Sequence, residues 1–349
     1  MERLDKIISA AESLEQKDLE TLSSKILQML KLSSDSNPDQ EEDQVHSCRR
    51  CSSSSILKYG KDKNGKQRYK CKNCNTIFYE TSYSVVSKSR HPLSVWKKYI
   101  VLLLKGTSLN ECAKECDISV QTAFTWRHKI LHALQLDQAD RVLGGAVEID
   151  DMFFSLSYKG NHNKSRSFTM PRKSYKRGTD NTAASGGKAC VLCAVERRGQ
   201  TYAEVVGIGK VSVDELKYAF DTRLLGDSIA MTDKAPEFNL YFKDSSIELV
   251  SLRSHADKHK PNGPPEIKGS FHIQNVNNLH CRIRKTMKRY NGVATKYLNH
   301  YISLFIWIEN YKKIDEYNMQ NYMLETMCEN NSYISYNDIV KLPPVPHVA

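Results

Sequence analysis

Apolar positions follow two different periods along the chain, and the change of period divides it into regions. Helical spacing of apolar residues predicts a helical leader at 1–32, and the same spacing returns at 91–136 after an acidic, polar linker at 33–45. Residues 46–80 are rich in Cys, Lys and Ser and contain few large aliphatic side chains. So small a segment needs a covalent or metal staple in order to fold.

Short apolar runs of β type begin at Ala146. They are AVEIDDMFF, KACVLCAVE, TYAEVVGIG, SIAMTD and IELVSL, at 146–154, 188–196, 201–209, 228–233 and 247–252. A helical pattern lies between the third and fourth runs, and helical spacing resumes after residue 271. This order predicts one α/β domain with a mixed sheet at 145–312, followed by a C-terminal tail at 313–349 to which we assign no role.

The region 91–136 has the pattern of a helix-turn-helix. Ser108 and Glu111 form a predicted capping box, a turn follows at 117–119, and a second helix is predicted at 120–134. In this motif the second helix places its first turns in the major groove of DNA. The predicted DNA contacts on it are Gln121, Thr122, Thr125, Arg127 and Lys129. The alternative is a three-helix bundle that serves packing only, and in either case we expect Trp126 in the core.

Four cysteines in two C-x2-C pairs, Cys48 with Cys51 and Cys71 with Cys74, are spaced as in a zinc ribbon. Zinc would supply the folding free energy that so short a segment lacks. The segment is also basic, and we expect DNA contacts from Arg49, Arg50 and Arg68. The alternative is a zinc site with a purely architectural role.

Charge supports a nucleic-acid partner. The chain carries a formal net charge of +11, which divides into −6 over residues 1–45 and +17 over the remainder. A strongly basic body indicates a polyanion partner, here double-stranded DNA, and the alternative is a charge that serves solubility only. Because no apolar run is long enough for a membrane span and no secretory signal is evident, we expect a cytoplasmic, nucleoid-associated protein.

Residues 158–188 hold a basic segment between the first two predicted strands. It contains eight Lys and Arg residues and one acid. We expect a mobile loop that orders on DNA phosphates, with contacts from Arg172, Lys173, Lys176 and Arg177. The alternative is a linker without DNA contact.

Carboxylates within two of the predicted strands point to metal-dependent chemistry. Asp150 lies inside an apolar run, Glu148 precedes it on the same strand face, and Asp233 ends another run. Two carboxylates brought together from separate strands repel each other unless a divalent cation lies between them. Mg²⁺ or Mn²⁺ fits such a pair and can promote in-line displacement at phosphorus.

A helix near residue 280 presents further polar side chains on one face. Asn277 and Arg284 are two helical turns apart, and His280 lies between them. This face is suited to a metal ligand and phosphate contacts. A solvated basic face is the alternative.

Taken together, these motifs resemble insertion-sequence transposases of the DDE superfamily, in the ISXO-like group. The likeness rests on the cysteine quartet, VEIDD, PRKSYKRGT, AMTD and HIQNVNNLHCRIRKTMKRYNGVATKYL, and it covers roughly residues 46–312. It implies an RNase H-like catalytic domain behind a zinc ribbon and a helix-turn-helix. It also implies Mg²⁺-dependent cleavage of the element's terminal inverted repeats and strand transfer into target DNA, with Asp150 and Asp233 as the acidic ligands.

One position departs from the family's common pattern. Most of the superfamily has a glutamate at the third catalytic position, where this chain has Asn277, with Arg284 seven residues later. Asn278 and His280 remain alternatives for the residue that completes the site. A DNA-binding regulator with an inactive catalytic domain and a resolvase-like nuclease are the alternative functions. A homodimer or higher oligomer on DNA is expected because two element ends must be held together.

Overall fold

The computed structural model describes residues 47–63, 65–139, 141–159, 187–197, 199–243, 245–252, 266–329 and 332–343. The predicted leader, the acidic linker and the basic-loop residues Arg172, Lys173, Lys176 and Arg177 lie outside these ranges. The chain divides into two compact units between Glu80 and Thr81. No helix in the described part of the chain is long and apolar enough to cross a bilayer.

Three short antiparallel strands form the sheet of the first unit, in the order β1-β2-β3. They are β1 (Ile56–Lys61), β2 (Gln67–Cys71) and β3 (Ile77–Phe78). The buried apolar cluster consists of Cys48, Tyr69, Cys71 and Phe78, and the two aromatic rings lie 5.8 Å apart between centroids. A core of this size does not hold a sheet together without the cysteine staple.

Three helices open the second unit, in the region predicted as a helix-turn-helix. They are α1 (Leu93–Leu104), α2 (Leu109–Glu115) and α3 (Val120–Asp137). The predicted capping box begins α2, since Glu111 N donates to Ser108 Oγ at 3.3 Å and the Glu111 carboxylate accepts from Ser108 N. Trp126 is buried and stacks on Trp96 with ring centroids 3.7 Å apart, which confirms its place in the core.

A five-stranded mixed sheet forms the centre of the second unit. Its strands are β4 (Ala146–Ser155), β5 (Lys188–Glu196), β6 (Thr201–Ile208), β7 (Ile229–Asp233) and β8 (Glu248–Leu252), in the order β6-β5-β4-β7-β8. The first three strands pair antiparallel, whereas β7 and β8 run parallel to β4. This arrangement confirms the predicted RNase H-like sheet, and all five strands lie where the apolar runs placed them.

Helices cover both faces of this sheet. On one face α4 (Val213–Phe220) and α5 (Pro236–Phe242) pack on the odd-numbered residues of β4. On the other face lie α6 (Gln274–Lys288) and α7 (Leu298–Tyr311), linked by a 3-10 turn. Successive residues of a strand alternate between the faces, so Cys190 and Cys193 enter different cores as buried free thiols, as predicted.

The helix-turn-helix is not a separate domain. Helix α3 packs along α7, and both α8 (Glu316–Glu329) and α9 (Tyr336–Val340) pack against α3. The buried rings of His128 and His300 join α3 to α7 with their Nδ1 atoms 2.8 Å apart. These helices and the sheet lie in one compact unit, and the apolar stripe of α3 is buried where α7 and α8 pack against it.

Candidate active site

Strands β4 and β7 bring the two predicted catalytic aspartates together. Their parallel register pairs Glu148 with Met231, and the same register two residues further on sets Asp150 beside Asp233. Asp233 is the last residue of β7, and its Oδ1 accepts a hydrogen bond from Ala235 N at 3.0 Å. The carboxyl ends of neighbouring parallel strands lie at the same edge of a sheet. Residues near those ends can therefore form one site.

The protein environment disfavours ionisation of this pair. Burial, followed by the charges of Asp151 and Asp233, raises the pKa of Asp150 to about 8, against an opposing effect of Arg284. Burial is also the main cause that raises the pKa of Asp233. A cation between the two side chains removes this penalty, since it favours their charged forms.

Three charged residues outside the predicted set, Asp151, Glu237 and Lys210, belong to the same site. Asp151 lies on the opposite face of β4, and burial together with Asp233 and Glu237 raises its pKa to about 6, while Lys210 lowers it. Glu237 follows Asp233 by four residues in AMTDKAPE and lies in the first turn of α5, so its closeness in sequence to Asp233 was the signal that could have found it. Nothing in the sequence indicated Lys210, which follows β6.

Helix α6 covers the Asp150 face of the sheet. His280 Nδ1 lies 3.9 Å from Asp150 Oδ2, and burial and Arg284 lower the pKa of His280 to about 4, so the ring is neutral at pH 7. Arg284, one helical turn further, is exposed, and its positive charge lowers the pKa of Asp150. Asn277 precedes His280 by three residues and so shares its helix face, whereas Asn278 is exposed.

The donor set suits a hard cation that retains water ligands. Among the described residues, only the cysteine quartet brings together three or more His, Cys, Asp or Glu side chains placed to hold a metal ion. Asp150 and Asp233 therefore form a pair of carboxylates beside helix α6, which carries Asn277, and they do not form a closed set of metal ligands. This arrangement fits Mg²⁺ and Mn²⁺, since Mg²⁺ is bound through one or two carboxylates plus water and phosphate oxygens.

The cysteine cluster has the geometry of a closed tetrahedral site. The Sγ atoms of Cys48 and Cys74 lie 3.7 Å apart, and those of Cys51 and Cys71 lie 3.6 Å apart. All four sulfur atoms fall within 4.8 Å of one another. Zn–S bonds of about 2.3 Å give tetrahedral edges of about 3.8 Å, so the quartet can bind Zn²⁺.

The predicted DNA contacts of α3 divide into two groups. Gln121, Thr122, Thr125 and Lys129 line one concave surface. Arg127 is 2% exposed, and its Nη2 donates to Thr107 O at 2.7 Å. The prediction that Arg127 contacts DNA is therefore wrong, since its guanidinium is used inside the fold to hold the loop between α1 and α2.

The basic residues of the ribbon lie on its surface. Arg50 is exposed and donates from Nη1 to Thr76 Oγ1 at 3.1 Å, and Arg49 is partly exposed. The Arg68 guanidinium carbon lies 5.7 Å from the centre of the Tyr59 ring, with Lys70 Nζ at 5.5 Å from the same ring. Tyr59 is itself 44% exposed, so an aromatic side chain and two cations share one surface.

Comparison with known proteins finds similarity over the five-stranded sheet and its helices. Residues 142–310 match the family model described as an ISXO2-like transposase domain, and this range includes β4 to β8, α6 and α7 up to its penultimate residue. An uncharacterized protein in transposable element ISH50 of Halobacterium salinarum is 23% identical over 263 residues, covering 74% of this chain and 83% of that protein.

Two solved structures also match, at low similarity. They are the Mos1 strand transfer complex (8% identity, TM-score 0.18, 68% of this chain and 79% of that chain) and a pre-cleavage Mos1 transpososome (9%, 0.17, 68% and 80%). Scores this low add nothing to the assignment, which depends on the family model, the halobacterial relative and the strand order. Over residues 142–310 the chain is similar to ISXO2-like transposase domains, and this match together with the halobacterial relative supports an insertion-sequence transposase of the DDE superfamily.

Proposed function

We propose that the protein cleaves the ends of its own insertion element and joins them to target DNA, using a divalent cation between Asp150 and Asp233. The observation that supports this most is the meeting of two half-buried carboxylates from the parallel strands β4 and β7. A purely structural domain gains nothing from such a pair, because its ionisation opposes folding.

The neighbouring side chains supply the remaining functions. Mg²⁺ or Mn²⁺, when bound, stabilises the charge that develops on the attacking and leaving oxygens at phosphorus. Asn277 contributes an uncharged amide oxygen from the face of α6 that covers Asp150. The exposed Arg284 guanidinium contacts a DNA phosphate near the carboxylates. His280 is neutral and fills the space between helix and strand.

In the proposed cleavage step, water attacks a phosphodiester at the element end, and the P–O3′ bond breaks to release a 3′-hydroxyl. In the joining step this hydroxyl attacks a target phosphodiester, so one P–O bond forms as another breaks. Both steps are in-line displacements at phosphorus and need no cofactor apart from the cation.

Double-stranded DNA is the proposed partner, held by surfaces in both compact units. In the ribbon, the surface that supports this is the exposed Tyr59 with Arg68 and Lys70. In the second unit it is the concave surface with Gln121 and Thr122, which also includes Lys88, Arg90 and Lys129. We include the basic loop and a dimer on paired ends in the proposal, since transfer needs two ends together.

The experiment is a cleavage assay on linear duplex DNA that carries the element's terminal repeat and flanking sequence. We expect a nick at the repeat boundary that leaves a 3′-hydroxyl, appears with Mg²⁺ or Mn²⁺ and is absent with a chelator. A duplex with a scrambled repeat is the control. Specific binding without cleavage under either metal contradicts the proposal and favours a DNA-binding regulator.

Asn277 and Asn278 give a matched test of which residue completes the site. We expect Asn277→Ala to lower the cleavage rate by about 10–100-fold and to raise the half-saturating Mg²⁺ concentration. We expect Asn277→Asp to cleave DNA with a lower half-saturating Mg²⁺ concentration than Asn277→Ala, since a carboxylate binds the cation more strongly than an amide. Asn278→Ala, on the exposed side of α6, stays within about 2-fold of wild type. The opposite ranking in a Mg²⁺ titration assigns the role to Asn278.

A further inference from the structure

Glu148 is a carboxylate with no assigned role, and its side chain is completely buried. It lies two residues before Asp150 on β4 and therefore on the same face of the sheet, towards α6. A buried charge is costly unless several hydrogen bonds compensate it. Its partners therefore indicate why this position carries a glutamate.

Most of these partners belong to the entry of α6. Oε2 accepts from Asn275 N at 2.7 Å and from Val276 N at 3.2 Å. Oε1 accepts from Asn275 Nδ2 at 2.7 Å, and His272 Nδ1 lies 3.3 Å from the same oxygen. Two backbone N–H groups of the first helical turn are thus satisfied by a residue 127 and 128 positions away in sequence.

The N-cap residue of this helix makes no side-chain cap, and the first N–H group, Gln274 N, donates to His272 Nδ1 at 3.3 Å. Its N-cap residue is Ile273, which offers no oxygen to the free N–H groups of the first turn. Glu148, on the neighbouring strand β4, instead accepts hydrogen bonds from the N–H groups of Asn275 and Val276. Its negative charge also lies at the positive end of the α6 dipole, where an anion is stabilising.

Arg197, the residue directly after β5, also binds Glu148 and the segment that precedes α6. Its Nε donates to Glu148 Oε1 at 3.0 Å, while Nη1 and Nη2 donate to Ser270 O at 2.7 Å and His272 O at 3.2 Å. One ion pair therefore holds both the segment before α6 and the first turn of the helix.

We propose that Glu148 is the positioning residue that sets α6 at its working distance from the carboxylates. Glu148 and Asp150 share one strand, so a helix start bound to Glu148 is held in register with Asp150. Asn277 follows Val276 directly, and His280 and Arg284 continue along the same helix face. Metal ligands must be held within about 0.5 Å of their working geometry, which a freely sliding helix cannot achieve. This inference rests on the proposed function.

The test compares Glu148→Gln with Glu309→Gln, a control that weakens a different ion pair to the same helix. Glu309 Oε2 lies 2.7 Å from Arg282 Nη1, with a side chain 13% exposed, and it contacts the middle of α6. We expect Glu148→Gln to lower Mn²⁺ affinity in the DNA-free protein by about 10–100-fold, measured by electron paramagnetic resonance. Backbone amides 275–277 exchange hydrogen faster in this variant, and terminal-repeat DNA binds as in wild type. Glu309→Gln leaves Mn²⁺ affinity within about 2-fold of wild type.

Unchanged Mn²⁺ affinity in a folded Glu148→Gln variant overturns the inference, and so does an equal loss in Glu309→Gln. If Glu148→Gln does not fold, Asn275→Ala removes one donor to Glu148 from an exposed position and is expected to weaken Mn²⁺ binding by a smaller factor. Wild-type affinity in Asn275→Ala then overturns it. Because Mn²⁺ affinity is measured without DNA, failure of the cleavage assay on wild-type protein remains a separate result, which concerns the proposed function alone.

Discussion

Replacing Asp150 with asparagine is expected to abolish metal-dependent cleavage of the element end while DNA binding survives. The substitution keeps the size of the side chain and removes the charge that, in the proposed function, holds a cation beside Asp233. Loss of metal assistance removes several kcal/mol of transition-state stabilisation, which corresponds to a rate decrease on the order of 10³ or more. Asp233→Asn is expected to give the same loss. Cleavage at the wild-type rate in either variant contradicts the site assignment.

The same substitution is expected to stabilise the metal-free protein at high pH. The pKa of Asp150 is about 8 in the folded state, above the ordinary value of 3.8. Between these values the folded state binds more protons than the unfolded chain, so stability falls as pH rises, by at most about 1.4 kcal/mol per pH unit. Below pH 3.8 both states are protonated and the difference vanishes. A bound divalent cation opposes the loss.

Thermal unfolding between pH 5 and pH 8, with and without Mg²⁺, measures this effect. We expect Tm of metal-free wild-type protein to fall over this interval, to recover with Mg²⁺, and to depend less on pH in Asp150→Asn. Asp214→Asn is a matched control because the Asp214 side chain is 94% exposed. If the metal-free Asp150→Asn protein is less stable than wild type at pH 8, the ionised Asp150 carboxylate does not destabilise the metal-free fold. That result contradicts the assignment of Asp150 as a metal ligand.

Zinc removal is expected to unfold the first unit and leave the second folded. Half of the four-residue apolar cluster of the ribbon consists of cysteines of the quartet, so little core remains once the metal is lost. Structural zinc sites contribute about 10–16 kcal/mol in comparable small modules, more than such a core supplies. We expect Cys71→Ser or a chelator to abolish dispersed amide signals from residues 47–80 and to weaken binding to the terminal repeat. The unit from Thr81 onwards keeps its unfolding transition, because it is separately compact.

Cys281→Ser is the matched control, since this exposed thiol lies outside the quartet. Zinc release is quantified with a colorimetric chelator, and DNA affinity is measured by fluorescence anisotropy at two salt concentrations. If the ribbon contacts phosphates, its loss also reduces the salt dependence of binding. Unchanged affinity and salt slope after verified zinc loss remove the ribbon from the DNA-binding surface and leave it an architectural module.

Local patterns predicted the elements of this fold well. The five strands, the capping box at Ser108 and the opposite faces of Cys190 and Cys193 depend on residues close in sequence, where side-chain period and hydrogen bonding decide the conformation. The pairing of Asp150 with Asp233 was also accessible, because both occur at polar positions within or ending apolar runs. The packing of α3 against α7 and α8 was not accessible in this way, because helical periodicity does not reveal the partner of an apolar stripe.

By itself the sequence determined the zinc-ligand spacing, the strand positions, the capping box of α2 and the acidic pair. Each of these is encoded within a short window by spacing, period and turn chemistry. Only the tertiary structure decided that Arg127 is internal, that Lys210 and Glu237 surround the carboxylates, and that Glu148 caps α6 from a strand more than a hundred residues away. These outcomes depend on which elements lie side by side, since desolvation and hydrogen bonding act over a few ångströms in space whatever the separation along the chain.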